Sequence, residues 1–269
     1  MQSFVGEIEK REFFPSHEEF VREFMNGSRP VVFTQAMAGW RARAEWSLEW
    51  LERQHGSVVL KSKQTSVREW IAKMKDAQAK GRIEYLSVPL EEIPGLGTDF
   101  SLPDYHRLDL LRRTDIWIGP AGTRTPVHCD YSENLFCQVM GRKRFQLYSP
   151  DAISIFQPAL DFALYRDYVP EYTAQERNGR GEALETILAN DPVKPKFDFV
   201  IEPGEVMYLP YGWYHRVSGL EFSWSVSSRW VTPGMLARRL PAVVANTLRG
   251  EPARTVKKIR EQVTRSNAP

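Results

Sequence analysis

Residues 125–150 read TPVHCDYSENLFCQVMGRKRFQLYSP, and this segment carries the strongest information on both fold and site. His128 and Asp130 are two residues apart, so in an extended strand both side chains leave the same face. A second histidine, His215, follows an apolar run in YLPYGWYHRV far downstream. Two histidines and one carboxylate form a ligand set that holds a transition metal from one side and leaves its other face open. The pattern therefore predicts a metal site built on two strands.

The region around this segment consists of short aromatic and β-branched runs separated by Gly and Pro. The runs are DIWIGP, TPVHCD, NLFCQVMG, KRFQLYSP, FDFVIEPG, EVMYLP, YHRVSG and FSWSVSSRWV. Many short strands bounded by turn residues are typical of an antiparallel barrel or jelly roll, so we expect a mainly β protein. Residues 160–195 are polar and include ERNGRGE, which predicts an insertion between two barrel strands.

The first 80 residues differ from this barrel pattern because they carry helix start signals. Ser16, Ser47 and Ser66 each precede an apolar-periodic run, and the first and last are followed three residues later by glutamate, as in a capping box. Residues 31–33, in PVVF, indicate a buried strand. We therefore expect an N-terminal layer of helices and strands beside the barrel, and helices again over 235–264.

The composition excludes several classes of protein. The 269 residues carry 36 basic and 34 acidic side chains, a formal net charge of +2, so no overall field favours nucleic acid as a partner. The two cysteines, Cys129 and Cys137, indicate a reducing compartment, and strand alternation turns them away from the metal site. The N-terminal segment lacks the apolar core of a signal peptide, and no apolar run reaches membrane-spanning length. We therefore expect a cytoplasmic protein without a membrane partner.

The central segment and YLPYGWYH closely resemble the Jumonji-C family of iron- and 2-oxoglutarate-dependent oxygenases. Within that family the chain resembles the small hydroxylase branch, which contains the asparaginyl hydroxylase that acts on hypoxia-inducible factor and related arginyl hydroxylases. The resemblance covers roughly residues 85–232 and extends more weakly to PVVF. It implies a double-stranded β-helix of the jelly-roll or cupin type, with Fe(II) held by His128, Asp130 and His215 and with 2-oxoglutarate and O2 as co-substrates.

The resemblance also assigns a co-substrate pocket. It implies that Lys143, Thr125 and Tyr85 hold the far carboxylate of 2-oxoglutarate, and that Asn134 lines the same pocket. Burying a carboxylate without a cation costs several kcal/mol, and Lys143 supplies the cation. Residues 141–142 predict a hairpin turn, which places Lys143 on the same face of the returning strand as the alternate apolar residues of KRFQLY.

Residues for substrate recognition are proposed from the same resemblance. It implies that Trp117, in DIWIG, lies at the barrel mouth and contacts substrate, although core packing explains this residue equally well. In FSWSVSSRWV, Ser225, Ser227 and Arg229 alternate on one face, near positions where the asparaginyl-hydroxylase relatives carry Asn and an aromatic residue. Trp117, Ser227 and Arg229 are therefore the candidate substrate contacts.

The expected function is that of a dioxygenase, an oxidoreductase that hydroxylates a side chain of a protein or peptide and releases succinate and CO2. One alternative is the same chemistry on a small metabolite, a natural product or a modified tRNA base. Another is a cupin-like barrel that binds metal without turnover, although such a barrel has no evident use for Lys143. Motifs of the hydroxylase branch, without a reader domain, favour hydroxylation over lysine demethylation.

We divide the chain into a cupin-like oxygenase domain over residues 1–232, with its core over 85–232, and a C-terminal helical segment over 233–269. This segment has eight basic and two acidic residues, a net charge of +6, whereas 28 basic and 32 acidic residues elsewhere give −4. A nucleic-acid patch is one interpretation of that charge. The apolar series from Leu236 to Leu248 favours the other, a homodimer of the kind that the related hydroxylases form through C-terminal helices.

Overall fold

The structure, a computed structural model, describes residues 5–105, 111–130, 132–152, 166–168 and 194–235. In these ranges β-strands dominate the second half of the chain. The described strands, in chain order, are β1 (Glu9–Arg11), β2 (Val31–Phe33), β3 (Val59–Leu60), β4 (Thr65–Ser66), β5 (Leu86–Pro89), β6 (Leu111–Gly119), β7 (Arg124–Asp130), β8 (Glu133–Met140), β9 (Lys143–Tyr148), β10 (Arg166–Tyr168), β11 (Phe197–Ile201), β12 (Val206–Leu209), β13 (Tyr214–Gly219) and β14 (Ser223–Val231).

Two sheets form the barrel. The larger sheet has the strand order β1-β2-β12-β8-β14-β6-β5, and the smaller sheet has the order β10-β7-β13-β9-β11. Strands that follow one another along the chain therefore mostly alternate between the sheets, and neighbours from β6 onward are antiparallel. This is the double-stranded β-helix that the sequence predicts. The short strands β3 and β4 pair with each other outside the barrel.

The predicted hairpin between β8 and β9 is wrong. β8 pairs with β12 and β14, whereas β9 pairs with β11 and β13, so the turn carries the chain from one sheet to the other. Gly141 in this turn has a φ of +66°, and an added Cβ would lie 2.0 Å from the carbonyl oxygen of Phe222. A glycine turn has the same appearance in sequence whether its strands pair or separate. The predicted face of Lys143 is nevertheless confirmed, since Lys143 is buried and Arg144 pairs with the half-buried Asp198.

The main helices lie within the first 80 residues, before β5, and the first of them lies between β1 and β2. In the described part of the chain they are α1 (His17–Phe20), α2 (Arg41–Glu45), α3 (Leu48–His55) and α4 (Val67–Ala79), and α1 continues into a π-helical turn at Val21–Met25. The predicted caps are confirmed, because Ser16, Ser47 and Ser66 each accept a hydrogen bond from the backbone N–H three residues ahead. Ser66 completes a capping box with Glu69. The sequence pattern does not predict α2, since RARAE contains no large apolar residue.

The helical layer packs on the outer face of the larger sheet. An apolar core between them holds Trp46 and Leu51 from the layer and Trp224, Val226 and Trp230 from β14. The rings of Trp46 and Trp224 stack with their centroids 4.4 Å apart. A second, smaller core lies between the two sheets and contains Phe136, Phe145, Leu147 and Met207. The alternate residues of β14 face the barrel interior, where the site is built.

Some predictions concern residues outside the described ranges. Of the insertion expected over 160–195, the structure describes β10 and residues 194–195. Of the C-terminal segment over 233–269, it describes residues 233–235, which begin a helical turn. The domain boundary at 232 and the dimerisation segment therefore stay predictions. No helix in the described part of the chain has both the length and the apolar character needed to cross a membrane. Both cysteines are buried, and no disulfide joins them.

Candidate metal centre and co-substrate cavity

Two neighbouring strands of the smaller sheet bring the predicted metal ligands together. β7 places His128 and Asp130 on one face, and β13 runs antiparallel beside it with His215 directly opposite His128. The two imidazole rings lie with their centroids 4.1 Å apart. One candidate ligand atom from each of His128, Asp130 and His215 lies within 4.8 Å of the others, and all three residues are buried. The structure thus brings together the three residues that the sequence pattern selects.

Backbone carbonyls orient both imidazoles. Nδ1 of His128 lies 2.7 Å from the carbonyl oxygen of Pro126, and Nδ1 of His215 lies 3.1 Å from that of Trp213. A carbonyl oxygen only accepts, so each Nδ1 carries the hydrogen and each Nε2 presents a lone pair. Nε2 of His128 lies 4.0 Å from Oδ1 of Asp130, and Nε2 of His215 lies 4.0 Å from Oδ2. The two lone pairs and the carboxylate therefore face one shared position.

The donor set fits a divalent first-row metal. Two neutral imidazoles and one carboxylate on adjacent strands leave the remaining coordination positions for other ligands, as in the facial triad of non-haem iron proteins. The hydrogen bonds from Nδ1 to the backbone are the usual outer support of metal-binding histidines. All three residues lie on paired strands, so the sheet fixes their backbone positions relative to one another.

A cavity lined in part by the two strands of the triad, through Thr125 of β7 and Val217 of β13, holds most of the predicted co-substrate residues. It encloses about 340 Å³, including its open mouth, and its lining contains Tyr85, Trp117, Thr125 and Lys143. Lys143 is only 8% exposed, and no carboxylate in the described part of the chain pairs with it. Its ammonium lies 5.4 Å from the ring centroid of Phe136. Burial lowers the pKa of the Lys143 ammonium from 10.5 to about 7.

The polar groups of this cavity fit an anionic guest. A buried ammonium without an acidic partner gains a large stabilisation when a carboxylate reaches it. Thr125 contributes a hydroxyl to the lining, and Nε1 of Trp117 is buried without a hydrogen-bond partner among the described residues. Both groups donate hydrogen bonds, which is what a carboxylate accepts. Tyr85, 43% exposed, lies at the rim and stacks on Trp117 with ring centroids 6.0 Å apart.

Three other predicted site residues lie outside the lining of this cavity. Asn134 and Ser227 face each other across β8 and β14, where Ser227 Oγ lies 2.9 Å from Asn134 Oδ1 and donates to it. Arg229 binds Asp115 and approaches Asp130. These contacts engage the polar groups of all three within the barrel. Their predicted roles, co-substrate binding for Asn134 and substrate contact for Ser227 and Arg229, stay predictions, as does substrate contact by Trp117.

The sequence reasoning missed several residues of the site. Thr123 and Ser223 also line the cavity, and the buried Asp115 pairs with Arg229, which approaches Asp130. A signal for Asp115 was present in DIWIG, since it lies two residues before Trp117 and so shares its face of β6. The sequence could not supply its partner, because Arg229 lies 114 residues away.

Comparison with known proteins identifies the family. The family model of the cupin-like domain matches residues 52–233. The chain is 28% identical to "Lysine-specific demethylase 8" of Xenopus tropicalis, over 80% of this chain and 51% of that protein. It is 30% identical to "Jumonji C domain-containing protein 5" of Drosophila melanogaster, over 80% of this chain and 58% of the relative. It is 24% identical to "2-oxoglutarate and iron-dependent oxygenase JMJD4" of Homo sapiens, over 82% of this chain and 60% of the relative.

These alignments span between half and two thirds of each relative. The expected resemblance to Jumonji-C proteins is confirmed by the names of these relatives. The family match covers strands β3 to β14, including both strands that hold the metal ligands, and leaves out β1 and β2. The chain belongs to the family of cupin-like domains.

Proposed function

We propose that the protein is an Fe(II)- and 2-oxoglutarate-dependent dioxygenase that hydroxylates a side chain of a protein or peptide. The observation that carries this proposal is the buried triad of His128, Asp130 and His215 beside a cavity whose buried Lys143 has no acidic partner among the described residues. A metal site alone fits many proteins. A metal site next to an unpaired buried cation fits one that binds an anionic co-substrate close to the metal.

Each part of the site has a distinct task in this proposal. The triad would hold iron from one side, and Lys143 with Thr125 and Tyr85 would hold the far carboxylate of 2-oxoglutarate. Bound iron, 2-oxoglutarate and O2 together supply the oxidising chemistry that adds oxygen to a C–H bond and releases succinate and CO2. The protein positions the reactants, and the Nδ1 hydrogen bonds keep both imidazoles in the tautomer that binds metal.

A protein or peptide substrate is supported by one of the relatives, whose name is that of a lysine-specific demethylase. The same name favours a second candidate function, the removal of a methyl group. The same chemistry performs it, because hydroxylation of an N-methyl carbon gives an unstable product that releases formaldehyde. A small-molecule substrate remains the alternative within the same chemistry. A barrel that only stores metal is disfavoured, since Lys143 costs stability without serving storage.

The cellular setting is part of the proposal. The two buried cysteines, which no disulfide joins, support a reducing compartment such as the cytoplasm. The apolar series over 236–248 supports a homodimer through the C-terminal segment. Light scattering of the full chain and of a chain that ends at Thr232 tests the dimer. The same number of chains per particle in both proteins would contradict it.

The proposal is tested by anaerobic addition of iron(II) and then 2-oxoglutarate to the purified protein. We expect a visible charge-transfer band from the chelated oxo-acid, absent in His128→Ala and retained in His17→Ala, whose histidine lies on α1. Lys143→Met is expected to bind iron but to give no band at limiting 2-oxoglutarate. Iron binding without a band in the unmodified protein would overturn the co-substrate assignment.

If the charge-transfer band appears, the next experiment identifies the class of substrate. Peptide libraries incubated with iron, 2-oxoglutarate and O2 are followed by mass spectrometry and by a formaldehyde assay. A gain of oxygen without formaldehyde supports hydroxylation, and loss of a methyl group with formaldehyde supports demethylation. Succinate formation on small metabolites but on no peptide would overturn the proposed substrate class.

A further inference from the structure

Arg229 lies between two buried carboxylates in the barrel interior. It projects from β14 and binds Asp115 of β6 through Nη2. Its other terminal nitrogen, Nη1, lies 3.8 Å from Oδ2 of the metal-ligand candidate Asp130. The Arg229 side chain is 15% exposed and that of Asp115 only 1%. At such burial the attraction between these charges is weakly screened by water.

A second arginine fixes Asp115 from the other side. Nε of Arg113 lies 2.8 Å from Oδ1 and 2.9 Å from Oδ2 of Asp115. Arg113 is largely exposed, so a row of alternating charges runs from solvent through Asp115 and Arg229 to Asp130. Asp115 is therefore held in place independently of the metal site, and it in turn determines where the Arg229 guanidinium lies.

The orientation of Arg229 leaves one of its hydrogen-bond donors unsatisfied, and the positions of the two carboxylates explain why. Its Nε is buried without a hydrogen-bond partner among the described residues. A guanidinium free to turn would satisfy that donor. Instead its two terminal nitrogens are directed at Asp115 and Asp130. A planar fork spans two carboxylates in this manner, whereas the single ammonium of lysine does not.

We propose that Arg229 is a positioning residue for the metal ligand Asp130. By attracting Oδ2 it restrains rotation of the Asp130 carboxylate and keeps Oδ1 and Oδ2 facing the lone pairs of the two histidines. Asp115 acts through Arg229, because it anchors the guanidinium. This inference rests on the proposed metal centre and concerns its assembly. It is a role separate from the predicted substrate contact of Arg229.

The test is a cobalt(II) titration of the full chain, monitored by the visible d–d absorption of the bound ion. We expect Arg229→Met to weaken cobalt binding about 10-fold, the size typical of groups that orient metal ligands. Arg229→Lys should also weaken it. Arg41→Met is the matched control, since Arg41 pairs with Glu45 and Asp99 in the helical layer and belongs to neither the metal site nor the charge row of Asp115, and it should bind cobalt as the unmodified protein does.

A double-mutant cycle separates positioning from general stability. Asp115→Asn should weaken cobalt binding in the unmodified background and add nothing to Arg229→Met, because it acts through that arginine. Thermal unfolding of each metal-free variant shows whether it is folded, and Arg229→Lys serves if Arg229→Met is not. Unchanged or tighter cobalt binding by folded Arg229 variants overturns the role of Arg229 alone. Failure of the unmodified protein to bind cobalt overturns the metal centre, and the role of Arg229 with it.

Discussion

The two sides of the larger sheet differ sharply in chemistry, although the same strands supply both. On β14 the outward residues Trp224, Val226 and Trp230 are buried in the apolar core beneath the helical layer. The inward residues are Ser223, Ser225, Ser227 and Arg229, and they face the metal centre and the cavity. Both sides are buried, so burial alone does not distinguish them. The outer side stabilises the fold through apolar contacts. The inner side instead carries polar groups that face the metal centre and the cavity.

The largest expected effect on stability belongs to the outer side. Trp224 is fully buried and stacks on Trp46, so Trp224→Ala leaves a large cavity under the helical layer. We expect a loss of about 3–5 kcal/mol in the free energy of unfolding, measured by urea denaturation. The control Val59→Ala, at a residue that is 59% exposed, should change it by less than about 0.5 kcal/mol.

The same variant tests the separation of the two sides. Folded Trp224→Ala should bind cobalt(II) with the affinity of the unmodified protein, because the metal ligands lie on the smaller sheet, whereas Trp224 packs on the outer side of the larger one. A fall in cobalt affinity in protein that is demonstrably folded would show that the outer packing sets the geometry of the interior, and the comparison would fail.

The next effect belongs to the interior and appears as a dependence of stability on pH. Burial lowers the pKa of Lys143 to about 7 from 10.5, so above pH 7 the unfolded chain binds more protons than the folded one. Stability of the ligand-free protein should therefore rise with pH above 7, by at most about 1.4 kcal/mol per pH unit. Urea denaturation at pH 7, 7.5 and 8 measures the slope.

Lys143→Met is the control for that slope. Methionine does not titrate, so this variant should be more stable than the unmodified protein at pH 7 and should lack the contribution of Lys143 to the slope. Burial raises the pKa of the Cys137 thiol, which acts in the opposite direction as pH rises, so the difference between the two proteins is the quantity to compare. Equal slopes would mean that Lys143 is not desolvated in the ligand-free protein. The buried lysine would then not lower the stability of the fold.

The local parts of this architecture could be predicted from sequence, and the parts that depend on topology could not. The caps at Ser16, Ser47 and Ser66 need only a few neighbouring residues, and all three are confirmed. The spacing of His128 and Asp130 fixes their common face without knowledge of the fold. By contrast the turn at Gly141 gives no information on which strands pair across it, and the hairpin prediction was wrong.

The interior contacts show the same division. Thr125, Lys143, Trp117 and Tyr85 were selected through motifs and do share one cavity. The contact of Arg229 with Asp115 depends on the pairing of β14 with β6, which no local pattern encodes. Alternation along β14 showed that its serines share a face with Arg229, but the direction of that face requires the second sheet.

The smallest predicted effect concerns Ser225, where the inner side is polar for structural reasons. Ser225 Oγ donates to Oε1 of the buried Gln138 at 2.9 Å, and Gln138 Nε2 donates to the carbonyl oxygens of Met140 and Gly141 at 2.8 Å each. Gln138 thereby ties β14 to the turn that leads to Lys143. Ser225→Ala removes one donor and leaves Oε1 without its partner, so we expect a loss of about 1 kcal/mol in urea denaturation.

Cobalt affinity should remain that of the unmodified protein in Ser225→Ala, because Ser225 contacts neither the triad nor Arg229 among the described contacts. Ser227→Ala is the matched variant, since its hydroxyl donates to Asn134, the cross-strand neighbour of Arg229. A weaker cobalt complex in Ser225→Ala would extend the metal-orienting part of the interior to the far end of β14. An unchanged cobalt affinity in Ser225→Ala limits the metal-orienting part of the interior to the residues around Arg229. Even within the polar interior, stability and metal binding then depend on different side chains.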